Sequence, residues 1–212
     1  MSEACAKNNG MRILAAADFH GKTGRYDAFL DGAAYVQPDI AVLAGDINTS
    51  SSLFSLLSSL DIPALVIHGN MDSIAIGDPV AETGAIFLHN QAYHQDGLFF
   101  IGIGGSAPRT EMITVYESNE LQRLDETACD ILITHVPPKG VKDAAMLGRH
   151  IGSDWVRQFI EDRQPRVAIC GHVHEDRGHA WLNNTMVVNC TVGKGGAYSV
   201  IEVESEISVQ HI

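Results

Sequence analysis

The sequence predicts an α/β fold in a single domain, and three observations support that prediction. Short apolar runs alternate with amphipathic segments through the first half of the chain, a pattern typical of β-α units that feed a buried sheet. Towards the C-terminus, apolar and polar residues alternate around turn residues, which indicates antiparallel strands. A length of 212 residues suits one domain with a sizeable core. We expect that domain to span residues 11–212, behind a polar tail over residues 1–10.

The first three predicted strands each end in a loop that combines glycine with Asp, Asn or His. These strands and their loop residues are Ile13–Ala17 with Asp18 and His20, Ile40–Ala44 with Asp46, and Ala64–Ile67 with Asn70. Between them, the predicted helices are Tyr26–Gln37 and one that starts at Leu53 behind the capping hydroxyls of Ser50–Ser52. Because the carboxyl ends of parallel strands meet at one edge of a sheet, we expect these polar side chains to lie together.

The second half of the chain repeats this arrangement less regularly. Two predicted strands end in histidines: Ile131–Thr134 runs into His135, and Val167–Cys170 runs into His172 and His174. Two further strands, antiparallel or mixed, are predicted at Ile86–Leu88 and Leu98–Ile103, followed by a surface flap over Gly104–Tyr116. Ser153 caps a predicted helix. A run of hairpins is predicted from Trp181 to Val209, with turns at residues 183–184 and 193–196.

The composition limits the kinds of partner. The formal net charge is −12 with 14 Lys and Arg residues, which argues against a nucleic-acid-binding surface because such surfaces neutralise phosphates with basic side chains. No apolar stretch approaches the roughly 20 residues of a membrane helix, and the N-terminus lacks a signal-peptide pattern. The four cysteines contain no C-x-x-C pair, which favours reduced thiols. We therefore expect a cytoplasmic protein; the oligomeric state stays open, a homo-oligomer included.

Polar side chains that offer nitrogen or oxygen stand at the ends of five of the predicted strands. They are Asp18, His20, Asp46, Asn70, His135, His172 and His174. A mixture of imidazole, carboxylate and amide suits a transition-metal centre better than calcium, which prefers oxygen ligands alone. Seven ligands exceed one tetrahedral site but suit two metals that share a bridging carboxylate. The sequence therefore predicts a metal centre.

Five ordered blocks carry a resemblance to a known family. They read Asp-x-His from residue 18, Gly-Asp from 45, Gly-Asn-x-Asp from 69, a histidine at 135 and Gly-His-x-His from 171. In this order they resemble the calcineurin-like metallophosphoesterase superfamily, in particular its small single-domain phosphodiesterases of bacteria and archaea. Gly104–Ser106 and His150–Ser153 are similar to further segments of those proteins. The resemblance implies two mixed β-sheets packed face to face as a sandwich flanked by helices, a four-layer α/β/β/α fold.

The resemblance also implies the composition of the metal centre. One metal would be held by Asp18, His20, Asp46 and His174, and the other by Asp46, Asn70, His135 and His172, which makes Asp46 the bridge. Two divalent transition metal ions are implied, with Mn expected and Fe, Zn, Ni or Co also compatible.

The implied activity is that of a metal-dependent phosphoesterase, a phosphodiesterase rather than a phosphomonoesterase. A metal-bridging hydroxide would attack phosphorus, with Asp46, Asn70 and His135 as catalytic residues. The substrate would be a small phosphoester, and nucleotide diesters are one class of such compounds.

One position departs from the family pattern. The third block commonly carries a histidine that contacts the scissile phosphate and protonates the leaving group, and this chain has Met71 there. Methionine does neither, so general-acid assistance, typically worth about 10²–10⁴-fold, is in question. Asp72 orients that histidine in the family and is expected here to fix the loop or a metal ligand.

Candidates for contact with the substrate are Asn70, His68, Arg109 and His150, and Arg149 is a further cation that could grip a phosphate oxygen. Met71 also keeps a different class of function open, a non-catalytic metal-binding scaffold or interaction module of the same fold. The complete set of seven donors argues against the scaffold, because a scaffold has no physical need for converging ligands. A nuclease is a third alternative, which the acidic composition disfavours.

Overall fold

A computed structural model describes residues 10–106 and 127–212, which form two six-stranded β-sheets and their flanking helices. The strands are β1 (Met11–Ala16), β2 (Ile40–Ala44), β3 (Ala64–Ile67), β4 (Ile86–Phe87), β5 (Gln91–Gln95), β6 (Leu98–Ile103), β7 (Ile131–Thr134), β8 (Val167–Cys170), β9 (Gly178–Leu182), β10 (Thr185–Asn189), β11 (Ser199–Val203) and β12 (Ile207–His211). The helices are α1 (Thr23–Val36), α2 (Ser51–Ser59), α3 (Gly77–Glu82) and α4 (Asp154–Arg163). Short 3-10 turns cover Ile74–Ile76, Met146–Gly148 and His174–Asp176.

Each sheet has a parallel centre and an antiparallel margin. The strand order is β12-β11-β1-β2-β3-β4 in the first sheet and β5-β6-β7-β8-β10-β9 in the second. Strands β1 to β4 are parallel, with the hairpin of β11 and β12 beside β1. In the second sheet β6, β7, β8 and β10 are parallel, and β5 and β9 are antiparallel to their neighbours. The carboxyl ends of the parallel strands therefore line up along one edge in each sheet.

Three apolar clusters hold four layers together. Side chains such as Ile13 and Val42 of the first sheet and Phe100 of the second are fully buried between the sheets. Helices α1 to α3 cover the outer face of the first sheet, and α4 covers the second through residues such as Phe159. This arrangement confirms the predicted α/β/β/α sandwich. None of the helices in residues 10–106 and 127–212 has both the length and the apolar character needed to cross a membrane.

Most predicted strands are confirmed, but their assignment to sheets is corrected in two places. The turn at residues 183–184 closes the β9–β10 hairpin as predicted. The prediction of a second hairpin turn at residues 193–196 is wrong, because this segment carries the chain from β10 in the second sheet to β11 in the first. Strand β4 was expected in an antiparallel or mixed pairing and instead lies parallel to β3. Alternation identifies a strand but neither its direction nor the sheet that it joins, which explains both differences.

Strand β5 escaped prediction because its sequence, Gln91–Gln95, is polar and lies at an exposed sheet edge. The predicted surface flap at Gly104–Tyr116 lies outside the described residues from position 107 onward.

Candidate metal centre

The seven predicted donors lie on loops at the carboxyl ends of strands from both sheets. Asp18 and His20 follow β1, Asp46 follows β2, Asn70 follows β3, His135 follows β7, and His172 and His174 follow β8. Backbone hydrogen bonds join neighbouring loops within each sheet. The amide of Asp18 donates to the carbonyl of Gly45 at 3.0 Å. The amide of Gly171 donates to the carbonyl of His135 at 2.9 Å. The amide of His172 donates to Asp18 Oδ2 at 2.9 Å, which connects the loops of the two sheets.

Four of the donors have left-handed backbone conformations. The φ angles are 65° at Asp18, 49° at His20, 50° at Asp46 and 68° at His172. Few residues other than glycine adopt the left-handed conformation, but Asp and His do so more often than most other residue types. Each such residue costs about 1–3 kcal/mol and persists only where its surroundings hold it, a situation that is common at functional sites.

The first donor cluster consists of Asp18, His20 and His174. One ligand atom of each lies within 4.8 Å of the others. His174 Nε2 is 3.3 Å from Asp18 Oδ1, and the Nε2 atoms of His20 and His174 are 3.2 Å apart. Two nitrogen or oxygen ligands at about 2.0–2.2 Å from one metal lie roughly 3 Å apart, so these separations suit a shared ion.

The second donor cluster consists of Asp18, Asp46 and His135, again with ligand atoms within 4.8 Å of one another. His135 Nε2 lies 3.5 Å from Asp46 Oδ2 and 3.0 Å from Asn70 Oδ1. The ring of His172 packs edge-on against His135, with 5.2 Å between ring centroids. All the donors predicted for the second metal are therefore neighbours of His135.

Two carboxylates lie between the clusters. Asp46 Oδ2, 3.5 Å from His135 Nε2, is also 3.9 Å from His20 Nδ1 in the first cluster. This position is compatible with a bridging role for Asp46. Asp18 belongs to both clusters by distance.

The buried polar atoms of the site fit a cation. Asp18 is fully buried, and its Oδ1 receives no hydrogen bond from any residue in the described part of the chain. A buried carboxylate oxygen in that state is costly unless a positive charge compensates it. The loops also approach too closely for extra side-chain atoms, since a Cβ on Gly69 would lie 2.0 Å from Asp46 Oδ1. The donor set and its burial therefore fit divalent metal ions.

The electrostatics of the donors couple metal binding to protons. Burial alone would raise the pKa of Asp46, but the hydrogen-bonded His135 lowers it below its ordinary value. Burial would also raise the pKa of Asp18, and His174 and His135 bring it below its ordinary value. Asp18 in turn raises the pKa of His174, whereas burial lowers that of His20. Because metals bind ionised carboxylates and neutral imidazoles, metal binding here is expected to release protons.

Contacts outside the donor set hold the loops in place. Asp72 accepts backbone hydrogen bonds from Ile47, Asn48 and Gly69 at 3.0, 2.8 and 2.9 Å. It therefore fixes the Asp46 loop against the Asn70 loop, as one of its two predicted roles requires. Hydrogen bonds from such outer partners orient metal ligands and tune their affinity.

Met71 occupies the position that carries a histidine in the family pattern. Its amide donates to Asp46 Oδ1 at 2.9 Å, and the residue is 73% exposed. The backbone at this position thus supports a candidate ligand, while the side chain offers neither a proton nor a hydrogen bond to a phosphate.

The predicted substrate contacts fall into different environments. His68 is only 8% exposed, and its ring lies 4.4 Å from that of His89. Burial lowers the pKa of His68 to about 4. A Cβ on Gly104 would lie 2.5 Å from His68 Nδ1, so the imidazole packs tightly against the backbone at Gly104. This buried position is poorly suited to contact with a substrate. Arg109 lies outside the described residues.

His150 remains accessible, because its side chain is 54% exposed. Its Nδ1 lies 2.6 Å from Oδ1 of Asp143, a fully buried carboxylate. Arg149 beside it is also exposed.

Two residues at the site were missed by sequence reasoning. Arg25 of α1 donates to the carbonyls of Asp18 and Gly193 at 2.6 and 2.8 Å, which places a cation beside the first cluster. Gly193 lies against His174, because a Cβ at this glycine would be 2.5 Å from the imidazole Cγ. No local pattern marks either residue, since both act through contacts with distant segments.

The arrangement has counterparts among known proteins. A family model described as metallophosphoesterase, calcineurin superfamily, matches residues 46–212. An uncharacterized protein of Methanocaldococcus jannaschii is 29% identical in an alignment covering 84% of this chain and 87% of that protein.

Solved structures share the fold at low sequence identity. A protein of Thermus thermophilus superposes with a TM-score of 0.70 at 16% identity, covering 95% of this chain and 98% of that one. A dimetal phosphatase from Danio rerio gives 0.63 at 12% identity, covering 95% of each chain. An archaeal phosphodiesterase gives 0.60 at 14% identity, covering 95% of this chain and 100% of the other. With its sequence matched over residues 46–212, the chain belongs to the calcineurin superfamily of metallophosphoesterases.

Proposed function

We propose that the protein is a dinuclear metal-dependent phosphodiesterase that hydrolyses small phosphodiesters, with nucleotide diesters as the first class to test and manganese as the first metal. The observation that carries the proposal is the meeting of two donor clusters, both of which include the fully buried carboxylate of Asp18. Membership of the superfamily supports phosphoester hydrolysis in general.

We assign the donors as the sequence pattern predicts. Asp18, His20, Asp46 and His174 hold one metal, and Asp46, Asn70, His135 and His172 hold the other. Two divalent ions, when bound, supply Lewis acidity to phosphate oxygens and increase the acidity of a bound water.

The protein's own groups orient these ligands and the substrate. His135 Nδ1 lies 2.9 Å from the carbonyl of Ala44, so a proton on Nδ1 leaves Nε2 free to bind a metal. Asn70 turns Oδ1 towards His135, which leaves its Nδ2 to donate to a phosphate oxygen.

The test is hydrolysis of bis(4-nitrophenyl) phosphate by protein loaded with Mn²⁺. Loss of an outer-shell partner typically costs about 10–100-fold, so we expect Asp46→Asn to lower kcat/KM by at least about 10²-fold. Asp96→Asn is the matched control, because Asp96 has nearly the same φ, 49° against 50°, and lies in the β5–β6 turn of the second sheet, at the amino end of β6. An inactive wild-type protein, or an unchanged rate in Asp46→Asn, would refute the proposal.

The second candidate function is a scaffold or interaction module of the same fold that has lost the metal chemistry, which the exposed Met71 favours. The two candidates differ in metal content and in stabilisation by metal. We expect about two Mn²⁺ per chain and a higher Tm in Mn²⁺, because a ligand at 100 times its Kd stabilises the folded state by about 2.7 kcal/mol. Less than one metal per chain and an unchanged Tm would favour a scaffold.

A further inference from the structure

We propose that His150, oriented by Asp143, is the proton donor to the leaving group, in place of the histidine that the family carries at position 71. The inference rests on the proposed phosphodiesterase activity. It starts from two observations: Met71 offers no proton, and an exposed imidazole bound to a buried carboxylate lies on a loop anchored to both histidine-bearing strand ends.

The carboxylate of this pair is held firmly. Asp143 is fully buried, and its Oδ2 accepts hydrogen bonds from the amides of Gly140 and Gly152, each at 3.0 Å. Burial alone would raise the pKa of Asp143, but His150 and the two amides bring it below its ordinary value. Asp143 is therefore an ionised group with a fixed position.

The imidazole is oriented by that carboxylate. His150 Nδ1 lies 2.6 Å from Asp143 Oδ1, while 54% of the side chain is exposed. An imidazole tied to a carboxylate through one nitrogen presents the other in a set direction, an arrangement that enzymes use for proton transfer. Nδ1 is occupied by Asp143, so Nε2 is the atom available to a substrate.

Several contacts tie the loop of residues 137–153 to the segments that carry His135, His172 and His174. The loop begins two residues after His135. Asn189 Nδ2 donates both to the carbonyl of Lys142 and to that of Val173, which lies between His172 and His174.

The middle of the loop is fixed as well. The Ala144 amide donates to Asp176 Oδ2 at 2.9 Å, and Ala144 pairs with His150 across the loop. His150 is therefore tied, through a single β-bridge partner, to the 3-10 turn that begins at His174.

Neighbouring charges on the loop are largely neutralised by partners. Lys142 Nζ lies 2.6 Å from Asp176 Oδ1, and Lys139 Nζ lies 2.8 Å from Asp154 Oδ2. Asp143 is the carboxylate that contacts the imidazole, and Arg149 is the adjacent exposed cation.

The proposed step is balanced in protons and electrons. A hydroxide oxygen forms a new P–O bond as the P–O bond to the leaving group breaks. The electron pair of the broken bond stays on the leaving oxygen, and the proton on His150 Nε2 passes to that oxygen. The neutral imidazole keeps its Nδ1–H···Asp143 hydrogen bond. Water then returns a proton to Nε2.

The test compares methyl phenyl phosphate, which has a poor leaving group, with methyl 4-nitrophenyl phosphate, whose leaving group needs little protonation. We expect His150→Asn to lower kcat by about 10²-fold or more on the phenyl ester and by only a few-fold on the nitrophenyl ester. His150→Gln serves as a second variant, and His94→Asn, an exposed histidine on β5, is the matched control. Equal losses on both esters would overturn the inference.

Two further measurements separate proton donation from a structural role. Added imidazole should restore part of the phenyl ester rate in His150→Ala, and no rescue would count against donation. In metal-free protein, ¹⁵N NMR should show neutral His150 protonated at Nδ1, and Asp143→Asn should lose this preference. A wild-type protein inactive on both esters would instead refute the phosphodiesterase proposal, which makes the two failures distinguishable.

Discussion

The donor clusters and an exposed rim, formed by Met71 and His150 and proposed to face the substrate, are built in opposite ways. Asp18 and His135 are fully buried, and backbone hydrogen bonds and close glycine contacts fix the loops that carry them. On the rim, Met71 is 73% exposed and the His150 side chain is 54% exposed. A donor can change little without moving its neighbours, whereas a rim side chain can change alone. Variation in substrate preference is therefore expected on the rim, and loss of metal is expected from changes in the clusters.

The largest expected effect comes from adding one methyl group beneath the donor clusters. In Gly69→Ala the new Cβ would lie 2.0 Å from Asp46 Oδ1 and 2.3 Å from the Asp46 amide nitrogen. Overpacking typically costs about 1–3 kcal/mol, and contact with backbone puts this site at about 3 kcal/mol. We expect most of the metal to be lost, as measured by urea unfolding and metal analysis.

Gly24→Ala in α1 is the control, since a Cβ there meets no atom within 4 Å. It should leave metal content unchanged and stability equal or slightly higher. If both variants behaved alike, the clusters would not be as rigid as their contacts indicate.

An intermediate effect is expected from Asp72→Asn, which weakens a carboxylate that accepts three backbone amides. Outer partners of metal ligands typically contribute about 10–100-fold to metal affinity or activity, and we expect a loss in that range. Isothermal titration calorimetry with Mn²⁺ measures the loss of metal affinity. Asp130→Asn is the control, because this carboxylate accepts the Phe99 amide before β7, at the opposite end of the strands. Similar losses in the two variants would show that Asp72 has no special relation to the metals.

The smallest effect is expected on the rim itself. Met71→His should raise the rate on the phenyl ester by up to about tenfold and leave the nitrophenyl ester nearly unchanged, because only the poorer leaving group needs a proton. The gain should be larger in the His150→Asn background, where no other donor competes. Steady-state kinetics on both esters measures the change. An equal gain on both esters would mean that position 71 acts through substrate binding instead.

Local sequence patterns were sufficient to identify candidate donors that the fold brings together. Each donor follows a buried run such as Val167–Cys170, so the sequence placed it at a strand end, and parallel strands bring their ends together. The pairing into sheets was less accessible. The segment at residues 193–196 looks like any glycine-rich turn, and nothing within it reveals that it crosses between sheets.

Residues that act through distant contacts could not be predicted. Arg25 reaches the Asp18 loop from a helix, and Asp143 is a single acidic residue in a loop until the fold buries it beside His150. His68 shows the converse case, since its position two residues before Asn70 made it a candidate substrate contact and the fold buries it. Burial depends on the complete set of tertiary contacts, which a single sequence does not display.

The crossing at residues 193–196 also bears on how the protein folds. Strand β1, which carries the Asp18 loop, pairs on one side with β11, about 190 residues further along the chain. Contacts between such distant segments raise the contact order and slow folding. During synthesis β1 must wait for β11 with one edge unpaired, and unpaired strand edges invite aggregation. The strand that begins the metal site therefore depends on a late folding step for its protection.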